Sequence, residues 1–159
     1  MDLYEEFRRV IATLERVGIR YALCGGLALA VHGRARATMD IDLLVEAEDL
    51  DRLREVLAGE GFRHEALPMT FAKGRVRILR LTKVDETRGG VLPLDLVVLE
   101  GGIAKRVWQD RERRPWEGVD LWVVSREGLA TLKRLRGSAQ DRADLEALRP
   151  RTRRKKRRR

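Results

Sequence analysis

The sequence predicts a mixed α/β (α+β) fold, a mixed β-sheet flanked by helices. Apolar residues recur at helical spacing in some segments and in short dense or alternating runs in others. The two kinds of segment interleave along the chain, the plan of a sheet with helices packed on it. Connections of both crossover and hairpin length occur, so parallel and antiparallel pairs should coexist.

The elements follow in order. Leu3, Phe7, Val10, Ile11, Leu14 and Val17 form one apolar stripe, a helix over residues 3–17 that Gly18 closes. Residues 21–24 read as a short strand. Residues 27–32, Ala-rich, read as a helix whose start faces Gly25-Gly26. Residues 41–45 read as a buried strand. Asp49 then starts a helix carrying Leu50, Leu53, Val56 and Leu57, ended by Gly59 and Gly61. Residues 75–81 form a strand, with Val76 and Ile78 on one face and Leu79 and Leu81 on the other. The polar segment 82–90 reads as a hairpin loop. Residues 91–99 are a strongly apolar strand interrupted only by Pro93 and Asp95. Residues 101–118 read as irregular, with Trp108 and Trp116 packing on the body. A strand follows over 119–124. Ser125 caps a helix to Leu135, and Asp141 caps a second helix to Leu148, stopped by Pro150.

At 159 residues the chain fits one domain large enough for a core. No window approaches the roughly 18 apolar residues of a membrane helix. The acidic, amphipathic start lacks the features of a secretory leader, and the one cysteine, Cys24, excludes an internal disulfide. A cytoplasmic location is expected, with Cys24 a buried structural thiol. The net charge is +9. Nine of the 34 Lys and Arg lie at 149–159 with no acid among them, leaving 25 bases against 25 acids in residues 1–148. The expected organisation is a folded domain over 1–148 and a disordered basic tail over 149–159, suited to contact with RNA or another polyanion. The tail has no aromatic residue, so such contact would read backbone and not sequence.

The densest chemical signal lies between Tyr21 and Glu46. Gly25-Gly26 follows an apolar run, and a glycine pair lets backbone come close to a phosphate. Asp40 and Asp42, at i and i+2 entering a strand, point to one face. Asp42 sits in a segment otherwise apolar, where an unpaired carboxylate costs several kcal/mol on a rough scale. A cation removes that cost. Asp95 repeats the pattern in the 91–99 strand. If the two strands pair, the three acids make a hard-oxygen site for magnesium or manganese and for nucleotide phosphates. The alternative for Asp95 is an ion pair with an arginine such as Arg80. His32 reads as structural.

Gly25-Gly26, Ala28, His32-Gly33, Arg36, Thr38 and Asp40-Ile41-Asp42-Leu43 resemble the minimal nucleotidyltransferases of toxin–antitoxin systems, most nearly the AbiEii-like branch. Where many superfamily members carry Gly-Ser, this chain has Gly25-Gly26, as that branch commonly does. Lys133, with Asp141-Arg142-Ala143-Asp144-Leu145, resembles the family's closing lysine helix and acidic motif. The resemblance spans most of residues 20–148. It implies a DNA polymerase beta-like nucleotidyltransferase fold, with Asp40, Asp42 and Asp95 as catalytic metal ligands. Gly25, Gly26, Arg36, Thr38, Lys133 and Asp141 would serve the nucleotide. Lys133 would reach the triphosphate. Asp141 would orient Lys133 or Arg36, or simply cap its helix. The implied reaction moves a nucleoside monophosphate from an NTP to a hydroxyl, with tRNA or other RNA first among acceptors. A partner protein comes second and a small molecule such as an aminoglycoside third, and a cognate antitoxin is an implied partner. A catalytically silent binding module is the competing class.

Overall fold

In the computed structural model, which describes residues 1–150, the chain opens with helix α1 (Leu3–Val17). Asp2 caps it by accepting from the Glu5 backbone N–H, and Gly18 ends it in the left-handed region. Phe7, Val10, Ile11 and Leu14 are fully buried, as the stripe requires. There follow β1 (Ala22–Cys24), α2 (Gly25–Val31), β2 (Ile41–Leu44), a single 3-10 turn at Ala47–Asp49, and α3 (Leu50–Gly59). The middle of the chain is strands: β3 (Phe62–Glu65), β4 (Met69–Phe71), β5 (Val76–Asp85) and β6 (Gly90–Leu99). It closes with α4 (Gly102–Gln109), β7 (Glu112–Trp116), β8 (Val119–Val123), α5 (Arg126–Arg136) and α6 (Ala139–Leu148).

All eight strands join one mixed sheet in the order β3-β5-β6-β2-β1-β8-β7, with β4 also paired to β5. The β2–β6 and β1–β8 pairs are parallel, and the others are antiparallel. The register sets what each face carries. Cys24, Asp42, Asp95 and Arg80 are lateral neighbours on four adjacent strands, so they project from one face. The next row over, Leu23, Leu43, Leu96 and Leu79, projects from the opposite face and is wholly buried. No helix among the described residues is long and apolar enough to cross a membrane.

Several segments differ from expectation. β3, β4, α4 and β7 were not legible in the sequence. β7, Glu-Arg-Arg-Pro-Trp, has little intrinsic strand preference and stands because all five residues pair with β8. The 101–118 segment holds α4 because Val107 can be buried while its Gly101-Gly102 start, which reads as a breaker, serves as its entry. Trp116 does pack on the body, against Phe7 and Tyr4. β5 runs on to Asp85, so the hairpin loop shrinks to residues 86–89, held by Asp85 accepting from the Thr87 and Arg88 backbone. Asp141 does not cap α6. Ser138 does, and Asp141, three residues on, closes the capping box by accepting from the Ser138 backbone N–H. The basic segment lies, beyond Arg149 and Pro150, outside the described residues.

Candidate active site

Asp42 and Asp95 face each other across the parallel β2–β6 pair, and Asp40 enters two residues before Asp42. Each of the three offers a carboxylate oxygen within 4.8 Å of the others. Asp42 and Asp95 are buried and Asp40 is half-buried. Burial, then the charges of Asp40 and Asp95, push the Asp42 carboxyl up from 3.8 to about 7. Asp95 differs: Arg80 on β5 grips both its oxygens, at 2.7 and 2.8 Å. Convergence with Asp42 and pairing with Arg80 therefore hold together. A carboxylate has about four lone-pair directions, so a fork of two donors leaves others open.

The glycines are fixed by what lies against them. Gly25 has φ +65, and a Cβ there would fall 1.9 Å from Asp42 Oδ2. Only glycine lets the end of β1 lie against the Asp42 carboxylate. Gly26 faces Thr38, whose Oγ1 would stand 2.7 Å from an added Cβ. Thr38 in turn donates to Asp40 Oδ1 at 2.9 Å. So Gly26, Thr38 and Asp40 form one packed unit. A side chain at Gly26 first displaces that loop, a more local effect than the direct phosphate clash that the sequence suggests.

A second acidic set lies between α5 and α6. Asp144 accepts from Lys133 Nζ at 2.6 Å, from Arg36 Nε and Nη2 at 2.8 and 3.1 Å, and from Gln140 at 3.0 Å. Asp141 accepts a two-pronged bond from Arg136, at 2.8 and 2.7 Å, and two bonds from Ser138. Burial pushes both carboxyls up, but these donors outweigh it and hold both below the ordinary carboxylate range. Lys133 is only 3% exposed. Its ammonium is taken by Asp144, so in this conformation it ties α5 to α6 and is not held out to a phosphate. Asp141 orients Arg136, not Arg36, and Arg36 binds the loop before Asp40 to α6. His32 Nε2 lies 2.8 Å from the Val124 carbonyl, a structural contact.

A cavity opens over the acidic face of the sheet. Asp42 and Gly25 line it from below, Ile78 and Val97 form an apolar wall, and Lys133 and Arg136 come from α5. Arg136, one-third exposed and aimed by Asp141, is the cation this cavity offers. It carries no motif of its own. Its signal is helical spacing: three residues after Lys133 it falls on the same face of α5. Asp144 lies inside the acidic motif of α6, but its partners Arg36 and Lys133, remote in sequence, gave no sign of it.

Three carboxylates on paired strands beside a glycine turn, under a cavity with one arginine, on this sheet, define a nucleotidyltransferase. Known proteins agree. Solved structures with the same fold include a candidate nucleotidyltransferase from Thermotoga maritima, 13% identical, covering 88% of each chain with a TM-score of 0.61. They include also ANT(2'')-Ia in complex with adenylyl-2''-tobramycin, 12% identical, covering 91% of this chain and 86% of that one with a TM-score of 0.61. The solution structure of ANT(2'')-Ia matches at 15% identity over 91% and 81%, with a TM-score of 0.64. A search of curated proteins finds no match. The sequence matches the aminoglycoside-2''-adenylyltransferase family model over residues 6–127, and the chain belongs to that family. The family matched is not the AbiEii-like branch that the motifs resemble.

Proposed function

We propose that Asp40, Asp42 and Asp95 are the catalytic carboxylates of a metal-dependent transfer of a nucleoside monophosphate from an NTP to an acceptor hydroxyl, with release of pyrophosphate. The observation that supports it most is the convergence of three carboxylate oxygens within 4.8 Å where Asp42 is buried without a cation of its own. Hard oxygens in that number suit magnesium or manganese, and Asp40, Asp42 and Asp95 would be the ligands. Such an ion, when bound, polarises the phosphate and eases ionisation of the attacking hydroxyl.

The chain's own residues do the rest. Gly25 keeps the end of β1 clear of side chain, so the triphosphate can approach the acidic face. Arg136, held by Asp141, pairs with phosphate charge as a fixed fork. Arg80 holds Asp95 in one orientation through its two-pronged bond, set to accept the proton of the acceptor hydroxyl. Thr38 holds Asp40 toward the others. Ile78 and Val97 line the cavity beside Asp42 with apolar side chains.

RNA is the leading acceptor, because the excess positive charge of the chain favours a polyanion. A sugar hydroxyl of an aminoglycoside is the second reading, favoured by the family match. A place in a toxin–antitoxin pair, with an antitoxin partner, rests on motif resemblance alone. The test is to incubate the protein with each α-labelled NTP and manganese, adding total RNA, aminoglycosides or nothing. Label on RNA that Asp42→Asn abolishes is the expected result. Label on aminoglycosides alone would establish the second reading. No transfer to any acceptor, with no metal-dependent change in melting, overturns the transferase reading.

A further inference from the structure

We propose that the groove between α5, α6 and the loop before Asp40 docks single-stranded RNA by its phosphates and leads a 3′ end toward the three carboxylates. The docking itself stands apart from the transfer reading; only the delivery of the 3′ end rests on it.

Four arginines line this groove, Arg34, Arg126, Arg134 and Arg149, against one acid, Glu127. Arg126 and Arg134 are eight residues apart on α5, two turns along one face. Leu129 and Lys133, which line the cavity, follow Arg126 by three and seven residues, so groove and cavity adjoin along α5. Residues 1–148 balance 25 bases against 25 acids, so three of these arginines around one acid are a local concentration, to which Arg149 adds a fourth.

The cations are also largely uncommitted. Arg34 Nε is buried and has no hydrogen-bond partner among the described residues. A buried donor left unpaired is unfavourable, and a phosphate oxygen in the groove would relieve it. Arg134 makes no ion pair among the described residues. Arg126 gives one nitrogen to the Leu148 carbonyl at 2.7 Å and keeps its charge. Arg149 pairs with Glu146 at 3.0 Å, but both are exposed and such a pair is worth little.

The occupant follows from charge and from what is missing. The groove ends at Pro150, and the sequence goes on through nine residues of which eight are Arg or Lys. The groove and the sequence beyond it are both strongly basic, which suits a polyanion of extended length. A membrane surface would also take apolar side chains from the protein. Of the exposed large apolar residues only Met39 lies on an element that borders the groove, the loop before Asp40, and one such side chain is a weak membrane anchor. The groove holds no aromatic residue, so phosphates are read and bases are not. RNA fits the neighbouring chemistry because its 3′ end presents sugar hydroxyls.

The groove shares a wall with the site. Arg34 lies two residues before Arg36, which binds Asp144, and four before Thr38, which binds Asp40. α6 supplies Asp144 to the first of these bonds and Leu145 and Leu148 to the groove. A strand held at Arg34 is therefore beside the loop that ends in the carboxylates.

The test uses the full chain and a fluorescently labelled single-stranded RNA, with anisotropy measured across salt. Arg126→Glu with Arg134→Glu should weaken binding at least about tenfold at low salt. The slope of log affinity against log salt should flatten by roughly 0.7 for each phosphate that is no longer bound. Arg126→Gln with Arg134→Gln gives a smaller loss in the same direction and covers the case in which the charge reversal does not fold. Asp42→Asn should bind RNA as the parent does, so docking is read separately from transfer. Manganese should raise the melting temperature of the groove variants as it does for the parent. Undiminished RNA affinity in the folded glutamine variant overturns the proposal. So does a protein that binds anionic phosphatidylserine vesicles through these arginines and binds RNA no better in their presence than in their absence.

Discussion

Two sets of buried carboxylates stand on either side of one cavity, and they behave in opposite ways. Asp42, among Asp40 and Asp95, is pushed up to about 7 because burial and like charges act together. Asp141 and Asp144 are just as buried, yet they are held below the ordinary range by Arg136, Ser138, Arg36 and Lys133. Burial alone does not mark a functional acid. The mark is whether the fold also supplies the cation. Between α5 and α6 both buried carboxylates are answered, so the set works as a cross-link. At the sheet the charge on Asp42 is left for a ligand to answer. Asp95 falls between, answered by Arg80 yet turned toward Asp42.

The sharpest break between the two sets should come from neutralising one acid in each. Asp42→Asn should lower nucleotide transfer by about a thousandfold or more, since it removes a ligand that charge stabilisation requires. The same change should not harm the metal-free fold. Because the folded Asp42 carboxyl lies above its unfolded value of 3.8, its penalty is absent well below that value, grows as pH rises toward about 7, and is complete above it. Asp42→Asn should therefore gain stability over the parent above about pH 7, on the order of 4 kcal/mol at most, and lose that advantage near about pH 4. Melts across that range check it; a parent no less stable at high pH than the variant would contradict it.

Asp144→Asn should do the reverse. It leaves buried Lys133 with only the longer contact to Asp141, at 3.5 Å, and frees Arg36, at a cost of about 3 kcal/mol. The depressed Asp141 and Asp144 carboxyls contribute stability that is present above their ordinary range and is lost as pH falls through their folded values. The Asp144→Asn protein should accordingly lose most of its margin at neutral pH by denaturant titration. A loss below about 1 kcal/mol would mean the network is not the cross-link described.

Gly25→Ala probes the boundary between the sets. The added methyl meets Asp42 Oδ2, and the left-handed backbone adds about 1–2 kcal/mol of strain. The stabilisation by manganese should disappear while the fold persists. Isothermal titration of manganese reads this directly, and affinity equal to the parent's would show that Asp42 can move without consequence.

The smallest effect is expected at Arg80, whose side chain is 37% exposed. Arg80→Gln should turn Asp95 from an answered acid into an unanswered one. Stability should fall by about 1–3 kcal/mol without metal, and manganese should restore more of it than in the parent. Equal gains from manganese in both proteins would argue that Asp95 never faces the ion.

Much of this was legible in the sequence, and the reason is local. Helix α1 follows from one apolar stripe and the closing Gly18, and β2 and β6 from apolar runs with a single acid in each. The same isolation of Asp42 and Asp95 marked them as chemistry, because a lone acid in a core strand needs an answering charge wherever the strand ends up. β3, β4 and β7 gave no such sign, since pairing to a neighbour and not their own composition makes them strands. What only the tertiary structure decided is which charge answers which. Lys133 has the composition of a phosphate ligand, and Asp144, remote from Arg36 in sequence, occupies it because α6 folds back on α5. Arg136 became the exposed cation by the same packing. A carboxylate and a cation attract over a few ångströms, and the fold, not the order of residues along the chain, sets which of them come that close.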